Sequence, residues 1–459
     1  MYPIVILSIA GILSMFIGAF KLKKLALPAV LLATLAGFVA NLLPQNLHDT
    51  PVFSGMLKFD SFAVNFSAVL MGITFVILIL SRRYYRDTTE HLGDIYALFL
   101  FSVVGGMIMV GSYNLVMFFV GLEILSIPLY ILATSERNNL LSNEAGLKYF
   151  LMGSFITVFL LLGMVLVYGM SGSFDFGAIS AYLSSTPSIS ALVKLGVMLI
   201  MIAFIFKISA APFHFWAPDV YQGSPAVIMV FMATVAKTAA FGGFLRFLTQ
   251  AIAPIEDSFT PLIAVLSALT MTIGNLMALN QSNLKRLLAF SSIANAGYVM
   301  LALVGLGASS SSTVLYYMLV YSIANVIAIA VYLTVKESLG SGSIEGLKGL
   351  YQSKPLLTFC LVLAMLSLAG IPPLAGFIGK YAIFVEALHN GYAWLVVLAA
   401  LNSAIGIFYY FKVMRMAFIS SEEGPISVPY VLGYAAVLVI CTLALLVLGI
   451  FPNIVLNSL

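Results

Sequence analysis

Four ionisable residues of this 459-residue chain stand inside long apolar runs: Glu123, Lys207, Lys237 and Lys380. Four charges at the centres of bilayer-spanning helices would cost about 10–14 kcal/mol together on insertion scales, comparable to the stability of a whole domain. Chains that keep such residues turn them into a polar interior, paired or hydrated. Burial disfavours a lysine's charge and a nearby carboxylate restores it, so the amine binds or releases a proton as the carboxylate or the hydration changes. Four such groups on successive helices, joined by water, would form a proton path along the membrane midplane.

The other charges read more plainly. Lys194 and Arg246 lie near the ends of apolar runs, where long side chains snorkel to water. Lys148 follows Glu144 at i, i+4 near a helix start, which suits a local ion pair as well as a place in the path. Lys285 and Arg286 read as basic anchors, with Lys285 also able to reach inward. Glu386 either approaches the outer surface or meets Lys380 through water. His48, His91, His214 and His389 have no metal-ligand spacing. Cys360 and Cys441 sit in apolar runs and read as small buried hydrophobes. The Gly340–Gly349 stretch lacks the strand and helix context of a phosphate-binding loop. No cofactor or metal is expected in this chain.

The elements that must position these residues follow from composition. The chain is 62% hydrophobic and 8% charged, against about 25% charged in soluble domains. That excludes a soluble protein. A spanning helix needs roughly 20 mostly apolar residues, and such runs fall at about 2–20, 25–43, 59–80, 93–110, 112–134, 145–169, 190–210, 224–247, 259–279, 286–306, 313–335, 355–388, 391–418 and 429–450. The expected fold is therefore an all-α polytopic membrane protein of about fourteen transmembrane helices. Continuously apolar stretches such as Leu161–Val167 argue against an outer-membrane barrel, whose strands alternate.

Two runs are interrupted. The seventh ends in Ala211-Pro212-Phe213-His214-Phe215-Trp216-Ala217-Pro218, and the twelfth contains Gly370-Ile371-Pro372-Pro373-Leu374-Ala375-Gly376. Proline removes a backbone donor, and a break at membrane depth persists only where protein or water satisfies the freed groups. Paired breaks point to a transport core of inverted repeats. These lie five runs apart, so one transmembrane domain, 1–459, is expected to divide into N-terminal helices (1–80), a first five-helix repeat (93–247), a second (259–418) and a last helix (429–459). Loops after odd-numbered runs carry Lys21, Lys23, Lys24, Arg82, Arg83, Arg86, Arg137, Lys285, Arg286, Lys336, Lys348, Lys354, Lys412 and Arg415, against Lys58, Lys194 and Arg246 on the other side. This bias puts both termini outside the cytoplasm. It also accounts for the net charge of +4 without a nucleic-acid partner.

Several stretches resemble the antiporter-like subunits of respiratory complex I, the proton-pumping NADH–quinone oxidoreductase. They are Gly121-Leu122-Glu123-Ile124-Leu125-Ser126-Ile127-Pro128-Leu129-Tyr130, Glu144 to Phe150, Lys207 to Gly223, Met232 to Lys237, Asn283 to Ala289, and Gly370 to Phe377 with Lys380. The resemblance implies two inverted five-helix repeats with discontinuous helices 7 and 12. By residue, Glu123, Lys207, Lys237 and Lys380 match the family's glutamate and lysines of helices 5, 7, 8 and 12. Lys380 separates the chain from M-type subunits, the lack of a long C-terminal amphipathic helix from L-type ones, and Tyr221-Gln222-Gly223 favours the N-type branch. One departure is Asn295, where related chains often carry histidine. Asparagine forms hydrogen bonds but does not titrate near neutrality.

The resemblance further implies a bacterial inner-membrane subunit that carries protons while redox chemistry occurs elsewhere. Lys207 near Glu123 would be the input group, Lys237 the central one and Lys380 the exit, with Lys148 and Lys285 as further candidates. Its partners would be other membrane-arm and peripheral-arm subunits, the lipid bilayer, protons and water, with FMN, iron–sulfur clusters and quinone held by partner subunits. A subunit of a multisubunit monovalent cation/proton antiporter shares the fold and much of the motif set. A purely structural membrane subunit is the third possibility.

Overall fold

The computed structural model describes residues 1–43, 52–85, 91–186, 188–307, 309–339, 342–420 and 432–457. His48, Arg86, Gly340 and residues 429–431 and 458–459 of the sequence reading lie outside the described residues. Among those described, the chain is helical, with isolated bridges and no strand.

The N-terminal part forms α1 (Tyr2–Ala19), α2 (Lys23–Leu42) and α3 (Ser61–Tyr84). Then come α4 (Leu92–Gly111), α5 (Leu115–Ala133), α6 (Leu140–Ser171) and a short α7 (Phe176–Ser185). The seventh crossing is split into α8 (Ala191–Lys207) and α9 (Trp216–Gly223). The eighth runs as α10 (Ala226–Phe231), a π-helical turn (Met232–Ala236), α11 (Lys237–Arg246) and a second π turn (Phe247–Ala251). α12 (Thr260–Leu279), α13 (Leu284–Leu301) and α14 (Ser310–Leu339) follow, then a single turn, α15 (Leu350–Ser353). The twelfth crossing is split into α16 (Pro355–Ala369) and α17 (Ala375–His389). α18 (Ala393–Phe418), α19 (Leu432–Ile450) and α20 (Asn453–Leu456) complete the chain.

Among the described residues, eleven helices are long and apolar enough to cross a membrane. The two split crossings and α13, whose Lys285, Arg286, Ser291, Ser292 and Asn295 dilute its apolar character, bring the order to the fourteen crossings expected. Helix starts are marked by side-chain caps: Asp60, Asn114, Ser190 and Asn283 each accept an N–H from the first turn. The eighth and eleventh crossings are 94% buried and form the centre, whereas α1 is 22% buried and presents its apolar side chains outward. In lipid, apolar faces give helices no reason to associate, so close backbone approach through small residues does. Gly163 of α6 and Gly196 of α8 show it, since a Cβ on Gly163 would stand 2.6 Å from the Gly196 carbonyl oxygen.

Candidate proton-transfer site

α8 ends at Lys207, and the chain turns through 208–215 before α9 begins. Groups freed by the break find partners on other segments: Thr270 Oγ1 accepts the Ala211 N–H at 2.9 Å, and the Trp216 indole donates to the Phe206 carbonyl at 3.2 Å. Lys207 Nζ donates to Ser126 Oγ at 2.6 Å and to the Tyr130 hydroxyl at 3.3 Å. It also faces the rings of Tyr130 and Tyr149, at 5.4 and 5.7 Å. Glu123 lies three residues before Ser126 on α5, and its carboxylate accepts the Thr157 hydroxyl at 2.8 Å. No ion pair within 4.0 Å joins Glu123 to Lys207 among the described residues; Ser126 stands in that position.

At the second break, α16 ends at Ala369 and Gly370 takes φ +80°. Lys380, in the second turn of α17, folds back across it. Its Nζ donates to the Ala369 carbonyl at 3.0 Å and to Ser403 Oγ at 2.9 Å, and lies 4.7 Å from the centre of the Tyr298 ring. The Ala369 carbonyl belongs to the last turn of α16, where carbonyls lack helical partners and the helix end is partially negative. A Cβ on Gly370 would stand 2.8 Å from Lys380 Cδ. Glycine is thus required both for the positive φ and for the passage of the lysine.

Between the breaks lies Lys237, 2% exposed, at the start of α11 behind the π turn. Its Nζ donates to Ser292 Oγ at 2.6 Å and to the Ser292 carbonyl at 3.1 Å. One helical turn along α13, Asn295 donates to the Ser291 carbonyl at 2.8 Å and the Tyr410 hydroxyl at 3.3 Å, and accepts the Tyr317 hydroxyl at 2.6 Å. Toward the second break, Asn275 donates to the Tyr298 hydroxyl at 3.0 Å and accepts that of Tyr409 at 2.9 Å. None of these tyrosines and amides was singled out in the sequence except Asn295. Tyr, Ser and Asn are ordinary in apolar helices and follow no spacing that would mark them.

Lys285 and Lys148 fall on the side of the basic loops. Lys285 is 5% exposed and donates to the Ser224 carbonyl at 2.5 Å, so it reaches inward. Lys148 is part-exposed and pairs with Glu144 at 2.7 Å and Asp219 at 2.8 Å. Asp219 also pairs with Arg286 at 2.9 Å and thereby ties α6, α9 and α13 together. It stands in the Trp216–Gly223 motif yet was not read as a site. Glu386 is buried at the end of α17, accepting the Ser309 and Ser310 hydroxyls at 2.6 and 2.7 Å. A cavity of about 1140 Å³ lies apart from the lysines of the two breaks, among Arg83, Tyr84, Glu136, Arg137 and Lys336. Among the described residues, no group of three or more His, Cys, Asp or Glu is placed to hold a metal ion.

Arg246 corrects the sequence reading. It does not snorkel: its side chain is 4% exposed and forks onto Asp60, with Nη1 and Nη2 each 2.6 Å from a carboxylate oxygen. Arg246 Nε donates to the Val110 carbonyl at 3.0 Å, and the Tyr113 hydroxyl donates to Asp60 at 3.0 Å. Burial pushes the Asp60 carboxyl up, but the bonds and charge of Arg246, with the Ala63 N–H and Tyr113, outweigh it and hold the group below the ordinary carboxylate value. Sequence separation hid this pair, because Asp60 sits at one run's start and Arg246 at another run's end.

The arrangement links lysines to hydroxyls and amides in a buried core, which suits proton transfer. The sequence profile of a family described as NADH:quinone oxidoreductase/Mrp antiporter, TM, matches residues 112–406. The chain belongs to that family. Those residues include Glu123, both helix breaks and all three central lysines. Over its whole length the chain is 42% identical to NADH-quinone oxidoreductase subunit N of Cytophaga hutchinsonii, of which it covers 99%. A solved chain from the respiratory complex I of Thermus thermophilus is 35% identical, superposes with TM-score 0.84, and matches over 99% of this chain and 98% of that one. A chain of the Mrp complex from Dietzia sp. DQ12-45-1b superposes with TM-score 0.88 over 99% and 95% of the two chains, but at 20% identity it shares the fold alone.

Proposed function

We propose that this chain is the N-type membrane subunit of a bacterial NADH–quinone oxidoreductase and carries protons across the membrane while quinone is reduced in other subunits. The observation that carries the reading is the set Lys207, Lys237 and Lys380. Each is placed in an apolar crossing, two border helix breaks, and each is held by hydroxyl or carbonyl groups with no ionised partner within 4.0 Å among the described residues. The identity of 42% to a subunit N against 20% to the Mrp chain favours this over the antiporter reading.

Lys207 is the input group, Lys237 the central group and Lys380 the exit group. Glu123, one turn from Ser126, draws the Lys207 amine to itself or leaves it on the serine. That choice shifts the amine's hold on its proton by about 1–3 kcal/mol if the coupling is typical. Lys285, turned inward at the foot of α13, joins the path from the basic face, and Lys148 holds the α6–α9 contact that orients the first break. Residues 93–247 and 259–418 are two inverted repeats, with 1–80 and 429–459 flanking them. The chain lies in the bacterial inner membrane with both termini on the non-cytoplasmic side. FMN, iron–sulfur clusters and quinone belong to partner subunits. The test is Lys237→Ala in the reconstituted complex. The proton yield per NADH oxidised should fall, and a wild-type yield would sink the proposed role.

A further inference from the structure

Among the described residues no side-chain hydrogen bond joins Ser292, which holds Lys237, to the second break. A small cavity of about 10 Å³ lies there, lined by Asn295, Tyr317, Val320, Tyr321, Ser367 and Gly376 among others. That is about the least space that holds one water molecule, which also needs two to four polar partners. The lining supplies them. Among the described residues the buried Tyr321 hydroxyl has no hydrogen-bond partner within 3.5 Å, in a residue 4% exposed. It lies near Ser292, the residue that holds Lys237. The Tyr317 hydroxyl donates to Asn295 and keeps its lone pairs for another donor. Ser367 Oγ accepts the Gly376 N–H at 3.2 Å and keeps its own proton to donate. A buried hydroxyl with no partner is costly, and a water here would satisfy it.

We propose that this cavity is a single-water site and that Tyr321 is the relay residue connecting Lys237 through that water to the break of the twelfth crossing. The proposal rests on the function given above and assigns its central step. One proton leaves the Lys237 ammonium. Ser292 and Tyr321 each accept one proton and release another, and the water passes one by way of Ser367 toward the unprotonated Lys380 amine, so Lys237 ends neutral, Lys380 ends as the ammonium and no hydroxyl carries a net charge. Asn295, which does not titrate, acts as a positioning residue that holds the Tyr317 hydroxyl toward the water. A titrating histidine is not needed at that point, because a hydroxyl and a water bridge it.

The test uses the whole reconstituted complex carrying Tyr321→Phe, which removes one oxygen and keeps the ring. Val320→Ile is the second variant, since its added methyl takes the water's space and leaves every hydroxyl in place. Lys237→Ala serves as the reference and Tyr316→Phe, whose hydroxyl bonds to the Ala375 and Leu448 carbonyls and does not line the cavity, as the control. Tyr321→Phe and Val320→Ile should each lower the proton yield per NADH several-fold in normally assembled complex, with a changed solvent deuterium isotope effect, while Tyr316→Phe pumps normally. Wild-type pumping by either variant, with Lys237→Ala still defective, overturns the water relay alone. Wild-type pumping by Lys237→Ala overturns the functional reading beneath it.

Discussion

Lys237 and Arg246 open and close the same helix, and both are buried, at 2% and 3% exposure. Arg246 is answered by an ionised carboxylate, a carbonyl and a tyrosine, and its guanidinium does not lose a proton in proteins. Lys237 is answered by one serine, through its hydroxyl and its carbonyl. The first is a fixed part of the frame that joins α11 to the start of α3. The second is a cation whose partners among the described residues are neutral, so it can give up its proton without leaving a stranded counter-charge. Burial alone therefore does not distinguish these two residues. What the charge is paired with does.

That contrast breaks most readily at Asp60. Asp60→Asn leaves Arg246 buried without its carboxylate, and breaking such a pair costs about 3–5 kcal/mol. The expected outcome is a large loss of assembled complex and of its thermal midpoint. Lys237→Met, which replaces a buried charge by an apolar side chain of similar length, should leave the thermal midpoint nearly unchanged. Equal destabilisation by the two would erase the distinction.

Smaller effects sharpen it. Glu123→Gln removes the only carboxylate read as acting on Lys207, and pump-linked NADH oxidation should slow by about 5-fold or more, within the range of typical coupling energies. Ser403→Ala removes one of the two Lys380 acceptors and should change pumping only by the worth of one hydrogen bond, about 0.5–1.5 kcal/mol. The smallest effect is in acid. The Asp60 carboxyl is held below its ordinary value, so the stability it contributes is present above the unfolded value of about 4 and is lost as pH falls through the lower folded value. The thermal midpoint of wild-type complex should show this acid step, and Asp60→Asn should lack it.

The crossings and both breaks were legible because bilayer length and proline impose them on local sequence. Glu123, Lys207, Lys237 and Lys380 were legible because charge is rare in apolar runs. Arg246 was misread for the same reason in reverse: its place near a run's end suggested water, and only the fold brings Asp60 beneath it. Tyr317, Tyr321, Asn275 and Ser403 carry no such signal, since uncharged polar residues cost little in a helix and their partners lie on other crossings. Lys285 was open between anchor and interior, and the Ser224 carbonyl at the end of α9 decides it.

The central claim is that Lys237 must release its proton and does not serve as a charge alone. Lys237→Arg keeps the positive charge but cannot deprotonate. The measurement is the proton yield per NADH of assembled, reconstituted complex carrying this substitution. The account predicts a yield as low as that of Lys237→Ala, and a wild-type yield would contradict it.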